Sequence, residues 1–380
     1  MKILSKQPNL GLSIFAEMTA LANEHRAINL SQGFPDFNPP EELTALVNRF
    51  MREGHNQYAP MPGALKLRER LSEKYERDFG AVYHPDSEIT ITAGATEALY
   101  EAITAVVHAG DEVIVFEPFY DAYAPVIRYC GGAPKFIKLN LPDFNINWEA
   151  LRKAVTHKTR LIIFNSPHNP AGAVLTEEDM RALIEIVRNR DVLLLSDEVY
   201  EHIIFDGEKH RSFSSYPELA ERSFVVGSFG KSCHATGWKI GYCVAPREMT
   251  AELRKLHQFV TFAVNTPIQL ALAEFMNNRE HFSGISVFYQ QKRDYLRELL
   301  KSARFKLLPC RGTYFQLADF SGISDEPEKE FAVRLIREHG VAAVPLSPFY
   351  ENRDNHHLLR FCFAKQEETL NRAAERLAKL

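Results

Sequence analysis

Between residues 88 and 245 the chain alternates short apolar runs with stretches of helical periodicity, and the runs stop at small or polar residues. Glu88–Thr92, Glu112–Phe116, Leu161–Phe164, Asp191–Asp197 and Ser223–Gly227 read as strands. Strands alternating with helices predict an α/β fold, with a mainly parallel sheet wrapped by helices. Open sheets of this kind bind ligands beyond the carboxyl ends of their strands, so the chemistry is expected just past each run. The last third of the chain changes pattern. It reads as a helix over Ser286–Lys301, strands at Phe305–Leu308 and Gly312–Leu317, a helix over Phe331–Glu338, and strands at Val341–Val344 and Leu358–Phe363. That is a compact α+β unit. A chain of 380 residues exceeds one usual core, so a large and a small domain are expected, divided near residue 275.

Lys231 follows the Ser223–Gly227 run in Ser228-Phe229-Gly230-Lys231-Ser232. A phosphate-binding loop would need a glycine at position 225, which is valine, and then a helix, whereas Cys233 to Trp238 lacks helical periodicity. A lysine placed there can instead form a Schiff base with an aldehyde such as pyridoxal phosphate, or it can be a solvated surface lysine. The Schiff-base reading makes demands elsewhere. A carboxylate is needed for the pyridine nitrogen, and Asp197 ends its run; it could equally cap a helix. Donors are needed for the phenolic oxygen, and Asn169 and Tyr200 follow strands, although Asn169-Pro170 with Gly172 also reads as a plain turn. A phosphate needs backbone N–H groups at a helix start, and Ala93 to Glu97 opens one, with Ala95 and Thr96 in its first turn; a Thr-capped turn is the structural alternative. Ser228 and Lys239 add a hydroxyl and a cation. Tyr120 offers a ring for the pyridine face, though aromatics at such places are also core.

Taken together, Gly94 to Thr96, Pro118 to Tyr120, Asn165 to Gly172, Ser196 to Tyr200 and Ser228 to Gly241 resemble the class I/II aminotransferases, which are fold-type I pyridoxal-phosphate enzymes. Ser13 to Met18, Leu30 to Asp36, Asn56 to Pro60 and Leu359 to Lys365 are similar to the branch that holds bacterial methionine aminotransferases and kynurenine/glutamine aminotransferases. The resemblance implies a large domain with a seven-stranded sheet over 36–275, a small α+β domain over 276–380, and an arm over 1–35 that belongs to the small domain. It implies Lys231 as covalent anchor and proton shuttle, Asp197 on the pyridinium, and Asn169 and Tyr200 on the phenolic oxygen. Tyr120 would stack on the ring, while Ala95, Thr96, Ser228 and Lys239 hold the phosphate. Many relatives carry Arg where Lys239 stands, so the fork is replaced by a point charge. Tyr58 would reach the phosphate of a neighbouring subunit, which implies a homodimer with active sites at the interface. Arg360 would clamp the substrate α-carboxylate bidentately, with Gly33 admitting the substrate to the backbone and Ile14, Phe15, Phe34, Tyr58 and Tyr120 lining an apolar pocket. With no second arginine evident, the expected donor is methionine or another large neutral or aromatic amino acid, and the acceptor a 2-oxo acid. A cysteine-conjugate C–S β-lyase and a kynurenine/glutamine aminotransferase are alternatives on the same fold. A non-catalytic cofactor-binding sensor is the alternative of another class.

Composition excludes other classes. The net charge is −4, neither end carries a basic run, and nucleic-acid binding has no support. Five cysteines without a C-x-x-C pair suit reduced thiols, and the apolar stretch of MKILSKQPNLG is too short for a signal peptide, so a cytoplasmic protein is expected. No metal site is expected, since His356-His357 reads as a loop pair and H-E-x-x-H is missing.

Overall fold

The computed structural model describes residues 4–8 and 10–380. Seven strands make the main sheet: β1 (Ile89–Thr92), β2 (Glu112–Glu117), β3 (Ala133–Lys138), β4 (Thr159–Asn165), β5 (Leu193–Asp197), β6 (Ser223–Ser228) and β7 (Gly241–Val244). Their order across the sheet is β1-β7-β6-β5-β4-β2-β3, with every pair parallel except those made by β7. Leu161 to Phe164, Leu194 to Ser196 and Phe224 to Val226 are buried because helices cover both faces, which is why these strands read as continuous apolar runs. The register sets Asn165 beside Asp197 and Asp197 beside Val226, so the polar ends of β4, β5 and β6 come out side by side.

A second sheet lies in the last third: β8 (Lys306–Leu307), β9 (Phe315–Asp319), β10 (Val344–Pro345) and β11 (Leu358–Cys362), ordered β10-β11-β9-β8 and antiparallel throughout. Two sequence expectations shift here. The strand foreseen from Gly312 starts only at Phe315, because Thr313 takes a left-handed φ of 65° and turns the chain first. The run Val341–Val344 is split: Val341–Ala342 pairs in parallel with Ile28–Asn29, while Val344–Pro345 joins β11. The N-terminal segment is thereby stitched to the C-terminal third, and the helix Ile14–Glu24, capped by the Ser13 side chain accepting from Ala16 N–H, packs on that side. Among the described residues no helix is long and apolar enough to cross a membrane.

Candidate active site

Lys231 sits on a one-turn helix, Phe229–Ser232, that leaves the end of β6. It faces a cavity of about 190 Å³ that is also lined by Ala95, Thr96, Tyr120, Asn169, Asp197, Tyr200, Ser228 and Lys239. Residues separated by more than a hundred positions thus meet at the carboxyl end of the sheet, as the strand-end reading expected.

The charges there are set up for a partner. Asp197 is 3% exposed; one carboxylate oxygen accepts from the Tyr123 hydroxyl at 2.5 Å and the other from the Val199 N–H at 3.4 Å. Burial pushes its carboxyl up to about 6, against the pull of those donors. Burial also draws the Lys231 amine down to about 8, helped by the Lys239 and Arg360 cations. Both groups are therefore moved toward their neutral forms, a pattern found where chemistry needs a proton acceptor near neutral pH.

The helix Ala95–Val106 starts at the cavity wall. The Thr-capped turn, the structural alternative, is not made. Gly94 is the N-cap, with φ 83° and no side-chain cap bond, so the first-turn N–H groups are not covered by a capping side chain. A Cβ on Gly94 would lie 3.1 Å from the Lys239 Nζ, and one on Gly241 would lie 2.5 Å from the Ala95 nitrogen. Bare backbone, a helix dipole and a cation converge there, which is a chemistry suited to a phosphate group. The donor set fits pyridoxal 5'-phosphate: phosphate cradle at one end, carboxylate and lysine at the other.

Arg360, on β11, is 1% exposed. Its guanidinium donates to Asn169 Oδ1 at 2.8 Å and to the Ser31 carbonyl at 2.9 Å, and lies 3.8 Å above the Phe315 ring centre and 4.9 Å from that of Phe15. Its Nε is buried with no partner, and among the described residues no carboxylate forms an ion pair with it. A buried guanidinium with spare donors is suited to binding an anion. Because arginine can only donate, Asn169 turns its oxygen to Arg360 and has its NH₂ free for another acceptor. Gly33 has a packing reason: a Cβ would come within 2.8 Å of the Phe315 ring that supports the guanidinium. Its φ is not positive, so a left-handed turn does not account for the glycine.

Other expected residues lie apart. Tyr58 is 82% exposed, edge-on to Phe262, and does not line this chain's cavity. Phe34 is half exposed under the Lys365 ammonium, and Phe15 reaches the arginine rather than the lysine. Sequence reading missed Tyr123 and Tyr314. Tyr314 is fully buried, accepts from the Lys231 amine at 3.1 Å and donates to the Gly33 carbonyl at 2.5 Å. It also missed a cluster with metal-type donors, Glu97, Glu101 and His257, whose ligand atoms lie within 4.8 Å of one another.

The family model for aminotransferase class I and II matches residues 25–377, and the chain belongs to that family. It is accordingly a transaminase of a family that uses pyridoxal phosphate. It is 50% identical to the methionine aminotransferase of Escherichia coli (strain K12) over 377 residues, 99% of this chain and 98% of that one. The kynurenine–oxoglutarate transaminase of Dictyostelium discoideum is 36% identical over 419 residues, covering 99% of this chain and 96% of its own. Among solved structures, the E. coli protein described as having methionine aminotransferase function superposes with a TM-score of 0.97, at 50% identity, and covers 100% of both chains. Thermus thermophilus aspartate aminotransferase with maleate gives 0.91 at 32% identity, again over 100% of both.

Proposed function

We propose that this transaminase binds pyridoxal 5'-phosphate in the cavity around Lys231 and takes its amino group from methionine or another large neutral or aromatic amino acid. When bound, the cofactor supplies a ring that withdraws electrons from the substrate Cα. Ala95, Thr96, Ser228 and Lys239 would hold its phosphate, Tyr120 would cover one ring face, and the Asp197 carboxylate would keep its ring nitrogen protonated. The Asn169 amide and the Tyr200 hydroxyl donate to the phenolic oxygen. Arg360 takes the substrate α-carboxylate with the donors the protein leaves free, fixing the Cα–H bond for transfer. Lys231 would anchor the cofactor, and its free amine would take up the Cα proton at Nζ as base and give it back as acid. A second, 2-oxo acid reverses the sequence.

The observation that carries the donor reading is the Arg360 guanidinium set against the Phe15 and Phe315 rings, with no arginine for a side-chain carboxylate among the described residues that line the neighbouring cavity. Half identity along nearly the whole length of the E. coli methionine aminotransferase supports it. The 36% identity to the Dictyostelium transaminase favours kynurenine as the second donor to try. The exposed Tyr58–Phe262 pair supports a homodimer in which Tyr58 serves the neighbouring site, in a cytoplasmic enzyme divided into an arm over 1–35, a large domain over 36–275 and a small one over 276–380. A half-reaction screen, following loss of the cofactor absorbance with each amino acid, tests the donor. Methionine and aromatic donors should react fastest; aspartate outpacing methionine would overturn the reading.

A further inference from the structure

We propose that Tyr314 is a positioning residue for Lys231: its hydroxyl oxygen holds the amine whenever that amine is free, and ties it to the Gly33 backbone. The inference rests on the proposed role of Lys231. Tyr314 donates its one hydrogen to the Gly33 carbonyl at 2.5 Å, so toward Lys231, at 3.1 Å, it has only lone pairs to offer. The amine must therefore donate an N–H to it. With one N–H fixed, the Nζ lone pair has to point elsewhere, and the cavity containing Asp197, Asn169 and Tyr200 lies on its open side. The Tyr314 ring cannot drift: it is fully buried and set edge-on to Tyr200 at 5.2 Å and 89°, with Phe315 and Tyr289 on other sides. A long, flexible side chain is thereby aimed by a rigid one.

The same short segment serves both ends of the site. Ser31 accepts from Arg360, and Gly33, two residues on, accepts from Tyr314. A carboxylate that engages Arg360 bears on the segment that fixes the hydroxyl holding the proton-transferring lysine. Tyr314 lies between substrate recognition and proton transfer, and it is not among the residues that line the cavity.

The test is Tyr314→Phe, with 4-aminophenylalanine at the same position as a second variant that still donates to Gly33 but accepts poorly from Lys231. The first readout uses cofactor-free protein: acetylation of Lys231 against pH, followed by peptide mass spectrometry. Loss of an acceptor harms the ammonium more than the amine, so both variants should lower the midpoint by about one unit. The second readout is turnover: kcat should fall about 10- to 100-fold with KM within about threefold, and the isotope effect of α-deuterated donor should rise as proton transfer becomes slower. An unchanged midpoint and isotope effect in the aminophenylalanine variant would reduce Tyr314 to core packing, even if the Phe variant failed to fold. If borohydride fixed the cofactor to a lysine other than Lys231, the functional reading itself would fall, which is a separate result.

Discussion

Two buried clusters of ionisable groups flank the helix Ala95–Val106, and they treat charge in opposite ways. At its start, Lys231 and Asp197 are buried around a cavity with Arg360 buried beyond Asn169, and burial moves each toward its neutral form because no protein group fully compensates it. On its other side, Glu97, Glu101 and His257 face one another with almost no solvent. Burial pulls the His257 imidazolium down, yet its hydrogen bond to Glu101, the neighbouring Glu97 carboxylate and the charges of both outweigh it and raise the group to about 9. Burial raises the Glu101 carboxyl to about 7, against the pull of the His257 hydrogen bond and charge. His257 Nε2 bonds the Met61 carbonyl, three residues from Tyr58, which gives the cluster a structural job. The difference is one of surroundings: the first cluster opens onto a cavity, while the second is enclosed, its carboxylates facing the imidazolium even though Glu97 Oε1 and Glu101 Oε2 have no hydrogen-bond partner.

The largest effect should come from the open cluster. Lys231→Ala should lower turnover by at least about 10⁴-fold while the fold persists, measured by steady-state rates and circular dichroism. Arg360→Ala should follow, lowering kcat/KM by about 10³-fold with cofactor content unchanged by absorbance, because a bidentate carboxylate clamp is lost. His257→Gln should do the reverse, costing about 3 kcal/mol of stability in urea unfolding and leaving kcat within a few fold, since two buried carboxylates lose their cation. Its pH dependence has a definite sign. The folded value, about 9, lies above the usual histidine value, so the stabilisation is complete below about pH 6.5 and fades as pH rises through 9. The stability gap between wild type and His257→Gln should therefore narrow across that window. The smallest effect is kinetic. Uptake of pyridoxal phosphate by cofactor-free protein should accelerate with pH up to about 8 and level off above it, because only the neutral Lys231 amine can attack an aldehyde.

The open cluster was legible in the sequence and the closed one was not, for physical reasons. Asp197, Asn169, Tyr200 and Lys231 each follow an apolar run, so a parallel sheet alone brings them to one edge. Arg360 sits inside an apolar strand, and sequence alone reads it as an ordinary surface or ion-paired arginine; the likeness to a family pointed to it. Tyr314 and Gly33 are 281 positions apart and His257 and Glu101 are 156 apart, and neither pair has a spacing that announces contact. The split of Val341–Pro345 between two sheets was equally hidden, because both halves are apolar and only the partners differ.

The account turns on Lys231 as the covalent anchor of the cofactor. Borohydride reduction of the holoenzyme, followed by peptide mass spectrometry, tests it most directly. A single cofactor adduct should map to Lys231 and vanish in Lys231→Ala; an adduct on another lysine, or one that survives that substitution, would contradict it.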